Sequence, residues 1–415
     1  MLKSYRRIFS APGAVGFTVT GFLGRLPISM FGVSVVIMVA TRRDSYALAG
    51  AVSAAGLAAV AVATPWIGRL VDRYGQARVT VPATLISVTA STLLILCARW
   101  NAPDWTLFVA YIASSGVPSI GVMARARWAE LYRDQAELLH SANSFEQALD
   151  ELCFMLGPVL ATLLCTLLFP EAGLAVAALL LLTGSLLFTA QRRTEPSVHP
   201  AVAANGSPLG IKGIKEITAT FLFTGVIFGS MEIVTVAYAE EAGNAAAAGV
   251  ILALLAGGSA IAGLVFGALK VRGPAPVRFL VCVAAMALLM QPILLADNIW
   301  ALAMLLFVAG AATAPTMITS MTLVNELAPP SRINESMTLT ITGMLIGISA
   351  GAAIGGWAVE QAGARSGYAV PAVASVIALA TALIGFAPAA LRSRRQSRGL
   401  ASLSTKVNEG AINER

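Results

Sequence analysis

The stretch that decides the fold class is FTVTGFLGRLPISMFGVSVVIMV, residues 17–39, in which Arg25 is the only charged residue. A helix needs about 20 apolar residues to cross the hydrocarbon core of a bilayer, and this run is long enough. An arginine near the middle of such a helix costs about 3 kcal/mol or more when it faces lipid. We therefore predict a membrane-spanning helix whose arginine faces the protein interior.

The composition of the whole chain supports the same class. Of its 415 residues, 57% are hydrophobic and only 12% are charged, whereas a soluble domain carries about 25% charged residues. The cysteines lie in apolar runs without a CxxC pair, and His140 and His199 are far apart. These features predict an integral membrane protein with no metal site, no disulfide framework and no cofactor.

Apolar runs of spanning length recur along the chain and predict an all-α polytopic protein with twelve transmembrane helices. With both termini cytoplasmic, 23 of the 28 Lys and Arg residues fall on the inner side and 4 in outer loops, as the positive-inside rule requires. The basic balance thus predicts a multi-pass protein of the cell membrane and no nucleic-acid partner. The predicted spans are 11–40, 46–67, 79–98, 105–124, 142–168, 172–190, 216–238, 246–269, 277–296, 298–323, 334–358 and 367–389.

A polar, Pro- and Gly-rich segment at 191–215 divides these spans six and six. It predicts a cytoplasmic linker between an N-terminal bundle, 1–190, and a C-terminal bundle, 216–390, followed by a basic cytoplasmic tail, 391–415. The halves also echo each other, since WIGRLVDRYG closes the second span and VFGALKVRGP closes the eighth. Such an echo indicates a duplicated six-helix unit, a common plan of transporters.

The loop GRLVDRYGQARV, residues 68–79, resembles the signature loop between the second and third helices of the major facilitator superfamily. The matching positions are Gly68, Asp72, Arg73, Gly75 and Arg78. The resemblance implies a bacterial transporter of two pseudo-symmetric six-helix bundles that works by alternating access. In that family the loop latches the two halves together on the cytoplasmic side, so Asp72 is expected to accept hydrogen bonds from a helix N-terminus or from an arginine.

A second motif, Gly157-Pro158 in the fifth span, resembles the helix-5 motif of drug–proton antiporters in the same family. The resemblance implies an efflux protein. The chain departs from that pattern at Cys153, where a glycine is expected, and at Leu160 and Ala161, which stand where the pattern has glycines. Ile112 stands where proton-linked members often carry an arginine in helix 4.

Buried charges are the candidate transport groups. Thr18, Gly21, Arg25 and Ser29 form one polar stripe of the first helix, which we predict to line a central cavity or to contact another helix. In the fifth span, Glu146 and Asp150 share a face, whereas Glu151 is rotated by about 100° from Asp150. We expect one acid to pair with Arg25, with Asp150 favoured, and the other to face the cavity or a gate. The sequence leaves the choice between Asp150 and Glu151 open, and it equally leaves open whether the pair is purely structural.

Glu232 in the seventh span is predicted to be buried, on one face with Gly225 and Gly229. Either Glu232 or Glu151 is then a candidate proton carrier. In the tenth span, Thr313 and Thr316 share a face and predict a cavity lining beside Pro315, which we expect to break the helical ladder.

Together these features predict a secondary transporter driven by a proton gradient, acting as a monomer in the bilayer on a small-molecule substrate. The leading hypothesis is export of a small organic molecule in exchange for protons. The alternative is proton-coupled import of a sugar, amino acid or organic anion, with Arg25 binding a substrate carboxylate or phosphate. No phosphate-binding loop, HExxH or nucleophile elbow is present in the sequence, so we do not expect an enzyme.

Overall fold

The computed structural model describes residues 2–198, 208–244, 247–269 and 273–388. The predicted tail, 391–415, and residues 199–207 of the predicted linker lie outside this part of the chain. The first half contains the helices α1 (Leu2–Ile8), α2 (Ala14–Arg43), α3 (Tyr46–Tyr74), α4 (Gln76–Arg99), α5 (Asp104–Ser114), α6 (Ile120–Leu131), α7 (Ala136–Leu167) and α8 (Ala172–Ala190).

The second half repeats this plan. Its helices are α9 (Ile214–Glu241), α10 (Ala247–Ala268), α11 (Ala275–Met290), α12 (Ile299–Gly310), α13 (Thr313–Leu327), α14 (Ile333–Ala362), α15 (Ala364–Gly367) and α16 (369–388). Within the described residues, 11 helices are long and apolar enough to cross a membrane. Large apolar side chains such as Trp66, Trp300 and Ile384 are exposed on the outside of the bundle, as a lipid-facing surface requires.

The fourth span differs from its predicted form. The span predicted at 105–124 is broken and ends later in the structure, since residues 115–119 are not helical and separate α5 from α6. Pro118 lacks the N–H that would continue the hydrogen-bond ladder and disfavours helical backbone in the residue before it. The span therefore runs on to Leu131 and carries Arg125 and Arg127 inside the bundle.

The tenth span is broken as well, at Ala311 and Ala312 between α12 and α13. Pro315, which we expected to break the ladder, lies instead in the first turn of α13. The first N–H groups of a helix have no partner within it, so a proline is tolerated there. Each half thus contains one broken helix at the corresponding position.

Glycines allow corresponding helices to approach closely in both halves. In the first half, a Cβ on Gly157 of α7 would overlap Ser29 of α2. In the second half, every fourth residue of α14 from 343 to 355 is glycine, and this row packs on α9, where a Cβ on Gly347 would overlap the Leu222 carbonyl. The pairs α2–α7 and α9–α14 are therefore equivalent members of two pseudo-symmetric bundles.

The two halves are joined at one end of the molecule. We call it the basic end, because it is where α2 begins and α3 ends, and it carries exposed Arg69, Arg73 and Arg78. There Gly68 of α3 packs against Asn334 and Thr338 of α14, and Gly267 of α10 packs against Ser144 of α7. The sequence echo at Gly68 and Gly267 thus marks equivalent contacts, and the structure is closed at the basic end.

Candidate functional site

Two arginines and two carboxylates from three helices of the first half form a buried charge cluster. Arg25 of α2 donates to Asp150 Oδ1 at 2.9 Å and to Glu146 Oε2 at 2.5 Å. Arg125 of α6 donates to Asp150 Oδ2 at 2.7 Å. The Glu146 side chain is 0% exposed and that of Asp150 is 24% exposed. Asp150 is thus the member of the cluster that solvent or a ligand can reach.

Local sequence explains how this cluster is positioned. Glu146 and Asp150 are four residues apart on α7 and so project from one face. Gly121 of α6 leaves room for the cluster, since a Cβ there would lie 3.3 Å from Asp150 Oδ1. Trp128, two turns further along α6, donates from Nε1 to Glu146 Oε1 at 2.7 Å. Both oxygens of the fully buried Glu146 are therefore hydrogen-bonded, as a buried carboxylate requires.

A hydrogen-bond chain extends from this cluster into the second half. Gln147 accepts from Arg125 through Oε1 and donates from Nε2 to Glu151 Oε1, both at 3.3 Å. Ser259 of α10 also donates to Glu151 Oε1, at 2.9 Å, and itself accepts from Thr313 of α13 at 2.8 Å. Glu151 therefore lies where the two halves meet, between the charge cluster and the broken tenth span.

The electrostatic difference between the two neighbouring acids follows from these contacts. Asp150 is neutralised by two arginines, whereas Glu151 accepts only from a serine and an amide. Across the described residues, no salt-bridge partner is found for Glu151. The five charged groups together carry one uncompensated negative charge, which a proton or a bound cation would neutralise.

Comparison with known proteins agrees with this architecture. The family model described as Major Facilitator Superfamily matches residues 17–290 and 217–408. The chain belongs to the major facilitator superfamily. A curated relative, the uncharacterized MFS-type transporter y4rN of Sinorhizobium fredii (strain NBRC 101917 / NGR234), is 25% identical over 378 residues, which cover 86% of this chain and 91% of the relative.

Solved structures share the superfamily fold. A bacterial homologue of the iron transporter ferroportin, in an outward-facing state with soaked iron, has a TM-score of 0.73 at 14% identity, covering 89% of this chain and 98% of that one. The human organic anion transporter MFSD10 (TETRAN) has a TM-score of 0.69 at 13% identity, covering 90% and 100% of the two chains. Superfamily members bind small-molecule substrates within a lipid bilayer, so the chain is a multi-pass membrane transporter rather than an enzyme.

The superfamily signature loop makes the contacts that its motif implies. Asp72 Oδ1 accepts from the Asn334 backbone N–H at 3.1 Å and from its Nδ2 at 2.6 Å, and Oδ2 accepts from the Glu335 N–H at 2.8 Å. A carboxylate of the first half thus caps the N-terminus of α14 in the second half. Gly75 has a φ of 91°, a conformation that favours glycine. Arg73 and Arg78 are exposed.

The residues predicted to line a cavity lie mostly between helices. Ser29 packs against Gly157 of α7 and donates to the Cys153 carbonyl, so it makes the helix contact that was the second of the two predicted alternatives. Thr18 and Gly21 are buried, and Gly21 lies against Phe188 of α8. A Cβ on Gly21 would lie 3.5 Å from the Phe188 ring, so α2 and α8 are in contact at this position. In α13, Thr316 is fully buried and donates to the Ala312 carbonyl of its own chain segment, whereas Thr313 reaches Ser259.

Glu232 is not buried, contrary to the sequence prediction. Gly225 and Gly229 face α14, whereas Glu232, Ile233 and Val236 lie on the exposed face of the next two turns of α9. Glu232 therefore stands apart from the charge cluster.

Sequence reasoning missed part of the site. Arg125 and Arg127 were expected in a cytoplasmic loop because the fourth span was predicted to end at residue 124. Arg127 is fully buried and donates to the Phe188 and Gln191 carbonyls at the end of α8. The signal that could have found both arginines is the Gly116–Pro118 interruption, which moves the second part of the span towards the C-terminus.

Proposed function

We propose that this chain is a proton-coupled secondary transporter that works by alternating access and exports a small organic molecule in exchange for protons. The observation that carries the proposal is Glu151, a half-buried carboxylate without a cationic partner in the described residues, at the contact between the two halves. A protonation change at this position alters the charge of the site and its hydrogen bonds across the halves together. Binding and conformational change are thereby linked.

The single uncompensated charge supports exchange. A carboxylate can be neutralised by a proton or by a cationic group of a substrate, and each excludes the other. Protonation of Glu151 from one side would release a cation there, and loss of the proton on the other side would prepare the site for the next one. The Gly157-Pro158 resemblance to drug–proton antiporters supports export as the direction.

The contacts of Arg25 count against import of an organic anion whose carboxylate or phosphate is bound by Arg25. Both of its terminal nitrogens are bonded to carboxylates, and its side chain is 3% exposed. Binding a substrate carboxylate or phosphate at Arg25 would first require breaking a buried ion pair, which costs several kcal/mol.

The test is proton flux in proteoliposomes with a pH-sensitive dye trapped inside. Cationic drugs, sugars, amino acids and organic anions are added one at a time under an imposed pH gradient. We expect substrate-dependent flux with an organic cation, opposite in direction to the substrate, and its loss in Glu151→Gln. The matched control is Glu130→Gln, which removes an exposed acid at the end of α6.

Two results contradict the proposal. Flux that persists in Glu151→Gln, with binding intact, would remove Glu151 as the proton carrier. Co-directional movement of protons and substrate would replace exchange by symport.

A further inference from the structure

The end of α10 makes an unusual set of contacts at the basic end. Its last two turns are bonded by side chains from the other half of the protein. Tyr5 of α1 donates to the Leu264 carbonyl at 2.6 Å, and Ser141 of α7 donates to the Gly267 carbonyl at 2.8 Å. His140 Nε2 lies 2.9 Å from the Phe266 carbonyl oxygen, and its ring packs edge-on against the Phe266 ring.

We propose that the end of α10, whose carbonyls accept hydrogen bonds from side chains of the first half, acts as a second catch. By a catch we mean a set of contacts between the halves, here separate from the Asp72 loop, that holds the basic end of the transporter closed. The proposal rests on the alternating-access part of the proposed function and on no part of the proton chemistry. The last carbonyls of an α-helix lack full partners within the helix, and a protein must supply donors or expose them to water. Here the donors come from the first half, which has to separate from α10 when the basic end opens.

Gly267 is what allows this catch to form. A Cβ at this position would lie 2.5 Å from Ser144 Oγ and 2.6 Å from the Tyr5 hydroxyl oxygen. Any side chain would therefore push α7 and α1 away from α10. Ser144 and Ser141 are one turn apart on α7, so the close approach at Gly267 also brings the Ser141 hydroxyl within reach of the carbonyl.

The two catches are chemically complementary. The Asp72 carboxylate caps the positive N-terminus of α14, whereas hydroxyl and imidazole donors cap the negative C-terminus of α10. Each involves a glycine of the repeated WIGRL and VFGAL segments, Gly68 in one and Gly267 in the other. Opening the basic end requires both sets of hydrogen bonds to be exchanged for water.

The experiment measures opening of the basic end directly. Spin labels are placed at the exposed positions Asp134 and Pro274, one in each half, in a full-length cysteine-free background reconstituted in lipid nanodiscs at one pH without substrate.

Loss of a hydrogen bond that leaves a buried carbonyl unpaired costs about 1 kcal/mol or more. The Ser141 bond is buried, whereas the Tyr5 bond is exposed and the Leu264 carbonyl lies before the last turn of α10. We therefore expect Ser141→Ala to raise the open-to-closed ratio about 5-fold or more, Tyr5→Phe to raise it by less, and Gly267→Ala to raise it at least as much as Ser141→Ala.

Matched controls remove a hydroxyl that does not join the halves. Tyr132 donates to the Ile8 carbonyl within the first half, and Thr166 donates within α7, so Tyr132→Phe and Thr166→Ala should leave the ratio unchanged. All variants are also measured with Asp72→Asn, which weakens the first catch and makes the open population large enough to quantify.

An unchanged ratio in the double variant Tyr5→Phe/Ser141→Ala, in both backgrounds, overturns the second catch. This readout involves no proton flux, so its failure and that of the exchange proposal are distinguishable. If the exchange proposal fails, removal of the α10 contacts can still open the basic end. If the second catch fails, the chain can still be proton-coupled.

Discussion

At the scale of single residues, Arg25 and Glu146 form the most deeply buried ion pair of the cluster, with side chains 3% and 0% exposed. Removing one partner of such a pair leaves an uncompensated charge in a low dielectric, at a cost of about 3–5 kcal/mol. We expect Arg25→Met to destabilise the protein by about this amount, because Glu146 would then keep only Trp128. Thermal unfolding in detergent, followed by tryptophan fluorescence, measures the effect.

Arg125→Met is the matched comparison. It removes an equally buried arginine and likewise leaves one arginine for two carboxylates, but the carboxylate that loses a bond is Asp150, which keeps Arg25 and is 24% exposed. We expect a smaller loss, about 1–3 kcal/mol. If both substitutions lower the free energy of unfolding equally, the Arg25–Glu146 pair contributes no more to stability than the Arg125–Asp150 pair does.

The sequence could predict which residues of α7 share a face, but not all of their partners. Glu146 and Asp150 share a face because of helical periodicity. Arg25 was expected to pair with an acid because a charged arginine facing lipid is energetically costly. The sequence therefore indicates a pair involving Arg25. That Arg25 binds both acids depends on how α2 packs on α7. That Arg125 joins them depends on the second part of the fourth span running past residue 124, where the span was predicted to end.

At the scale of helices, the close packing of α14 on α9 gives a prediction with a defined sign. A Cβ on Gly347 would overlap the Leu222 carbonyl, whereas a Cβ on Gly356 of the same helix would meet Ile233 at 3.8 Å, an ordinary contact. Overpacking costs about 1–3 kcal/mol, and alanine is favoured over glycine in a helix by about 1 kcal/mol. We expect Gly347→Ala to lower the thermal unfolding temperature and Gly356→Ala to leave it unchanged or raise it.

These two substitutions are chemically identical and lie in the same helix, so the helix propensity of the introduced residue is matched. If both substitutions lowered the stability, the glycines of α14 would be needed for backbone flexibility and not for close packing against α9. The four-residue spacing of these glycines is visible in the sequence. Their partner is not, because spacing alone identifies a tightly packed face without naming the helix that occupies it.

At the scale of the whole molecule, the halves meet at the basic end through charge and polar capping, and the sequence anticipated only part of this. The superfamily loop predicted that Asp72 would bond a helix N-terminus or an arginine. The echo between Gly68 and Gly267 indicated duplication. The contacts of Tyr5, His140 and Ser141 with α10 were not predictable, because they join residues more than 100 positions apart through carbonyls that carry no sequence signal.

The orientation of the molecule in its membrane is the remaining prediction. Few basic residues lie at the opposite end: Arg42, Arg43, Arg99 and Arg365 are the four predicted for the outer loops, against 23 Lys and Arg residues on the inner side. Basic residues are retained on the cytoplasmic side, so we expect the basic end to be cytoplasmic. In a cysteine-free background, Asp134→Cys should react with a membrane-impermeant maleimide only after cells are permeabilised. Gln361→Cys, exposed at the opposite end, should react in intact cells.

The labelling result also decides which conformation the structure represents. With Asp134 protected in intact cells, the closed basic end faces the cytoplasm, and Asp150 and Glu151 are reached from outside. Protons would then load in this state and the export substrate in the opposite one, in agreement with exchange. The reverse labelling pattern would mean that this conformation is inward-facing. The direction assigned to transport would then have to be inverted, because the catches at Asp72 and α10 would seal the outer side.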